Sequence, residues 1–155
     1  MKTKNVLFFI FLLAIISCKN PEGTDIAELV KVEERGCFKD GIFIHVSSGY
    51  DNPHKASMAL SLAVKMSETK DVTLFFDIEG VKLLTKTSED IQMNNFMTVQ
   101  SALDTLIHHQ VQIMACPMCM AKAEIKPEQL REGIIVAEAE KFFSFTKGRI
   151  LTLDY

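Results

Sequence analysis

The chain has 155 residues and a mass of 17.4 kDa, which bounds it to one domain and a tail. Apolar residues make up 48% and charged residues 24%, a globular balance that excludes fibrous, collagen-like and wholly disordered chains. A net charge of −3, a pI of 5.8 and the absence of Trp argue against a nucleic-acid binder held by phosphate contacts and stacking.

The chain opens MKTKNVLFFIFLLAIISCKN. Lys2 and Lys4 precede an apolar run over 6–16, too short to span a bilayer but of the length of a signal-peptide core. The run ends Ile16-Ser17-Cys18, which resembles a bacterial lipobox. The resemblance implies removal of residues 1–17 and lipidation of Cys18, with several acyl chains giving a stable anchor. That expectation places the protein in the cell envelope, membrane-anchored and facing the periplasm. Lys19 after the Cys, rather than Asp, leans toward the outer membrane by the same resemblance. Residues 18–40 then read as the lipidated Cys and a polar tether, with a short helix open over 26–34, and 41–155 as the domain.

Within the domain, GIFIHV (41–46) reads as a buried strand. Asn52 and Pro53 supply an N-cap and a first helical residue, and Ala56, Ala59, Leu60, Ala63 and Val64 repeat at helical spacing. DVTLFFDI (71–78) is a second strand. A helix is expected over 96–109, a strand over 111–115, and a turn into a helix from Cys116. A strand over 133–137, a short helix over 138–145 and a strand over 149–153 complete the chain. Strands alternating with helices predict an α/β fold: three layers, with a mostly parallel sheet of about five strands and helices on both faces.

Chemistry in such sheets collects beyond the carboxyl ends of the strands. Cys116 and Cys119 lie there, in Met114-Ala115-Cys116-Pro117-Met118-Cys119-Met120. A thiol at a strand-to-helix corner meets unpaired N–H groups that favour the thiolate, the nucleophilic form. Cys119, one turn on, can resolve a disulfide or a persulfide on its neighbour, while two buried core cysteines are the plainer alternative. Structural zinc wants two further ligands, and no second CxxC occurs. Soft Cu(I) suits the Cys and Met cluster, with core filling the plainer reading of the Met residues. His45 lies one residue before the end of the first strand and is a candidate assisting group, with an ordinary buried, hydrogen-bonded histidine as the alternative. Asp77 and Glu79 read as solvated loop ends. Cys37 is left without an assigned partner. No GxGxxG or GK[ST] occurs, and neither a cofactor nor a bound metal is expected.

The segments GIFIHVSSGYDNPHKASMALSLA, DVTLFFDIEGVKLL and VQIMAC, in this order, resemble the DsrE/DsrF-like family. The resemblance spans about 41–154 and implies a DsrE-like fold, a homo-oligomer, and a persulfide carried on Cys116. A sulfur donor or acceptor protein would be its partner. The second thiol, Cys119, departs from a one-cysteine carrier and admits dithiol redox chemistry. The expected function is therefore a thiol-based sulfur carrier or thiol redox protein, with sulfurtransferase or oxidoreductase-like activity open. The alternative is a non-catalytic module binding Cu(I), a small ligand or an envelope partner.

Overall fold

The structure, a computed structural model, describes residues 38–155. The leader, Cys18, Cys37 and the open helix over 26–34 lie outside the described residues, as does most of the tether. The five strands are β1 (Gly41–Val46), β2 (Asp71–Phe76), β3 (Gln112–Ala115), β4 (Ile134–Val136) and β5 (Ile150–Asp154). Three α-helices alternate with them: α1 (Pro53–Ser67), α2 (Val99–His108) and α3 (Pro117–Lys122). Among the described residues no helix is long and apolar enough to cross a membrane.

Local chemistry sets the boundaries. Asn52 Oδ1 accepts the Lys55 N–H at 3.2 Å and Pro53 follows at the first helical position, so α1 starts where the sequence signals it. The helix expected from Phe96 begins only at Val99. Thr98 is extended, and its hydroxyl accepts the Ser101 N–H at 3.2 Å, which caps the helix three residues late. The second strand stops at Phe76 rather than Ile78, because Ile78 turns into the left-handed region at φ 41°. The helix expected over 138–145 is a single 3-10 turn, Ala139–Phe142.

The sheet order is β4-β3-β2-β1-β5, and every pairing is parallel. The chain steps outward from β1 to β4 and must then cross back over the sheet to reach β5. This topology makes the two faces unequal. Ile42, Ile44, Val46, Val72, Leu74, Phe76, Ile113 and Ala115 point to one face and are buried with Ala56, Ala59, Leu60 and Ala63 of α1 and Leu103 and Leu106 of α2. The small α1 residues let that helix lie close to the sheet. The other face carries Phe43, His45, Thr73, Phe75, Gln112 and Met114. The crossing segment covers part of it: Phe142 stacks on Phe43 at 5.7 Å and meets Phe75 edge-on at 5.0 Å, and Gln112 Nε2 donates to the Lys141 carbonyl at 2.9 Å.

The loops at the carboxyl ends are stitched together. The Glu79 and Gly80 N–H groups both donate to the Ser47 carbonyl, at 3.1 and 3.2 Å. A Cβ on Gly80 would sit 2.3 Å from the Val46 carbonyl oxygen, a backbone atom that cannot swing aside. Gly80→Ala is therefore expected to destabilise the domain by about 2 kcal/mol, the scale of overpacking at a tight contact. The midpoint of urea unfolding reads this, and an unchanged midpoint would show that the two loops can separate without cost.

Candidate functional site at the carboxyl edge of the sheet

Parallel pairing places one row of side chains along this edge. His45 is in register with Asp154 of β5 and with Phe75 of β2, and Phe75 with Met114 of β3. Side chains alternate with period two, so Asp77 and Cys116, two residues beyond Phe75 and Met114, keep the same phase as His45. The hydrogen-bond ladder extends past the strand ends to hold them. The Asp77 N–H donates to the Val46 carbonyl at 3.2 Å, the Cys116 N–H to the Phe76 carbonyl at 2.8 Å, and the Tyr155 N–H to the His45 carbonyl at 2.9 Å. The row reads carboxylate, imidazole, carboxylate, thiol: Asp154, His45, Asp77, Cys116.

His45 is gripped from both sides. Nε2 lies 2.9 Å from Asp77 Oδ2 and Nδ1 lies 2.9 Å from Asp154 Oδ1, with the Phe75 ring stacked against the imidazole at 5.6 Å. Ser47 Oγ stands 3.4 Å from Nε2. Burial alone would lower the pKa of His45, but the bonds to Asp77 and Asp154 and their charges outweigh it, so the imidazole is held above its ordinary value. In the charged form both ring N–H groups donate to carboxylates. Asp77 is the more enclosed partner, with its side chain 19% exposed against 73% for Asp154. Its second oxygen, Oδ1, is buried and has no hydrogen-bond partner.

Cys116 is the N-cap of α3, and its carbonyl accepts the Met120 N–H at 2.9 Å. Pro117 follows at the first helical position, where its missing N–H leaves no bond unmade. Cys116 and Cys119 are both half-buried free thiols. They stand three residues apart, at the N-cap and in the first turn of the helix. Burial pushes the Cys119 thiol up, with Cys116 and the Asp77 charge adding to the shift, while the Ile78 N–H acts in the opposite direction. The backbone of Ile78 is left-handed, which is rare for a β-branched residue. A cavity of about 160 Å³ opens on Cys119, lined also by Ile78, Glu79, Lys82, Lys122 and Ala123. The Met118 side chain between the two thiols is 80% exposed.

The structure thus brings Cys116, Cys119 and His45 to one edge. Sequence reading missed two members. Asp77 is a half-buried partner of His45 and not a solvated loop end, because its phase in the pleat turns it toward the imidazole; Glu79 alone behaves as expected, pairing with Lys82 at 2.6 Å. Asp154 drew no attention in the sequence, yet register makes it the other half of the clamp. A usable signal existed, since Asp77 and Cys116 each follow directly on the last apolar residue of a strand. His54 packs edge-on against Phe96, and His109 bonds Ser67 at 2.8 Å at the opposite end of the sheet. Among the described residues no group of three or more His, Cys, Asp or Glu is arranged to hold a metal ion.

Residues 40–147 match the family model described as DsrE/DsrF-like family. The chain belongs to the DsrE/DsrF-like family. This is a family associated with sulfur relay. The fold of this DsrE/DsrF-like domain is similar to the crystal structure of the ychN protein from E. coli, with a TM-score of 0.55 and 17% identity over 74% of this chain and 99% of that one. It is also similar to MTH1491 from Methanobacterium thermoautotrophicum, a protein of unknown function, with a TM-score of 0.50 and 14% identity over 74% and 99% of the two chains. At these identities the likeness concerns the fold. No curated protein matches the chain.

The clamp makes a linkage prediction. Because the folded-state pKa of His45 is raised, its contribution to stability is fully present below the unfolded-state value and fades as pH rises through the folded one. NMR titration of the His45 ring is expected to show a value above that of an unstructured histidine, and Asp154→Asn is expected to lower it. An unshifted titration in both proteins would mean that the carboxylates do not act on the ring.

Proposed function

We propose that this is a thiol-based sulfur-handling protein, in which Cys116 takes up sulfane sulfur as a persulfide and Cys119 assists as a second thiol. The observation that carries the reading is the pairing of the two thiols on the first turn of α3, at the end of β3 and in the row containing His45 and Asp77. Family membership supports sulfur as the cargo. Lys122 beside the cavity suits an anionic sulfur donor such as polysulfide, Lys82 being already paired with Glu79. The uptake step balances: the Cys116 thiolate attacks a terminal sulfur of the polysulfide, an S–S bond forms, and the shortened polysulfide leaves with the electron pair. Whether a partner protein delivers or removes that sulfur, and whether the domain works as an oligomer, follow from the same reading as further expectations.

Intact-mass spectrometry of the full chain tests it. After brief exposure to polysulfide, a gain of one sulfur atom is expected, reversed by reductant and absent in Cys116→Ser. Uptake that persists in Cys116→Ser would overturn the assignment of the carrier thiol. A second reading, Cu(I) held by the same thiols, is favoured by the exposed thioether of Met118. Copper retained through purification in place of sulfur uptake would select it.

We place the domain in the cell envelope on the lipobox-like Ile16-Ser17-Cys18. The mature N-terminus is expected at Cys18 with acyl chains attached, read as the mass of the N-terminal peptide from membrane-extracted protein. A chain that still begins at Met1 would overturn the anchor.

A further inference from the structure

Two features of the edge take no part in the bond-forming step of sulfur uptake written above. Asp77 keeps one buried oxygen without a partner, and a polar atom left unpaired in the interior costs free energy unless something uses it. Cys119 is a thiol that burial and its neighbours hold protonated. The two are close. Ile78, the residue directly after Asp77, lines the Cys119 cavity, and the Asp77 charge acts on the Cys119 sulfur. Asp77 in turn bonds His45 through its other oxygen, and Asp154 fixes the far side of the ring. The edge therefore holds a thiol, a carboxylate with a free oxygen and a partly exposed imidazole bonded to that carboxylate.

We propose that Asp77 and His45 are a proton relay for Cys119, which resolves a persulfide on Cys116 and releases its outer sulfur as hydrosulfide. This makes the domain a sulfur-reducing device and not only a carrier, and it rests on the reading of Cys116 as the sulfur-bearing thiol. In the step, Cys119 gives its proton to Asp77 and His45, and its sulfur attacks Cys116 Sγ. A Cys116–Cys119 disulfide forms and the Cys116–sulfane bond breaks. The outer sulfur leaves with the electron pair and takes up the one proton that Cys119 gave, as hydrosulfide. The sulfane sulfur is reduced, the two cysteines are oxidised, and no outside oxidant or reductant enters a single turnover. A dithiol reductant restores the pair for the next one. Asp77 and His45 carry the proton, and Asp154 is a positioning residue that holds the imidazole.

The groups that face His45 are Asp77, Asp154 and Ser47, with Cys119 beyond Asp77 and the Glu79–Lys82 pair at the cavity. A protonated His45 cannot accept a proton, so the rate of release should climb with pH through the titration of His45. The test is a single turnover of the full chain, reduced, loaded briefly with polysulfide and desalted, with mass and free sulfide followed in time. Wild-type protein is expected to lose the added sulfur, end two protons lighter than the reduced form, and release one equivalent of sulfide. Cys119→Ser should load equally and keep its sulfur. Asp77→Asn should load normally and release about 100-fold more slowly, the scale of acid–base assistance. His45→Gln should load and lose the step in the pH profile at the histidine titration. Asp154→Asn, a change at an exposed side chain, should shift that step to lower pH and guards against a misfolded Asp77 variant. A wild-type persulfide as stable as that of Cys119→Ser overturns the proposal, as does release from Asp77→Asn and His45→Gln at the wild-type rate and pH dependence. Failure of Cys119→Ser to load at all removes the carrier reading itself.

Discussion

Register in the parallel sheet is the constraint on which the site depends. One slip of a residue in any pairing would send His45, Asp77 or Cys116 to the helix-covered face, because neighbours in a strand alternate between faces. The apolar residues prevent the slip. Ile44, Leu74 and Ile113 are all fully buried on the α1 and α2 side, and each is in register with the next. The polar row is the complement of that core: its members stand where they do because their sequence neighbours are locked on the other side. Backbone bonds beyond the strand ends, from Asp77 to Val46 and from Cys116 to Phe76, carry this order one residue further than the regular sheet.

The two faces divide the labour. The face under α1 and α2 is dry and holds the fold together. The other is covered by the crossing segment, where Phe142 reaches Phe43 and Phe75 and where Thr73 and Met114 are buried, and His45 is left partly exposed at its rim. An imidazole in this position is dry enough for its carboxylates to act strongly and wet enough to exchange protons. A second α-helix layer over this face would have sealed it. The single 3-10 turn, Ala139–Phe142, makes a partly open edge possible.

Much of the architecture was legible in the chain, and the reasons differ by element. β1 could be read to the residue because GIFIHV is bounded by Gly and by a turn-rich Ser-Ser-Gly. The start of α1 was equally plain from Asn52 and Pro53. The end of β2 was not, since nothing in Phe76-Asp77-Ile78 announces a β-branched residue with positive φ. The thiols were visible as a short motif at a strand-to-helix corner. Asp77 and Asp154 were hidden because their role is a matter of which strand lies beside which. The order β2-β1-β5 sets both carboxylates against one histidine, and the two are 77 positions apart in the chain. Order across a sheet is a property of the folded molecule, and a local motif does not encode it.

The clamp on His45 draws one jaw from each side of β1, and the jaws are not equally firm. Asp77 follows a strand flanked on both sides, whereas β5 is at the margin of the sheet and pairs only with β1. Regions held from one side open at lower free energy than the core. Excursions of β5 that leave the rest of the domain folded would remove Asp154 and with it part of the field that favours the charged ring. The protonation of the edge is thereby tied to a sub-global opening, so hydrogen exchange in Ile150–Asp154 and the charge on His45 should respond together to temperature and denaturant.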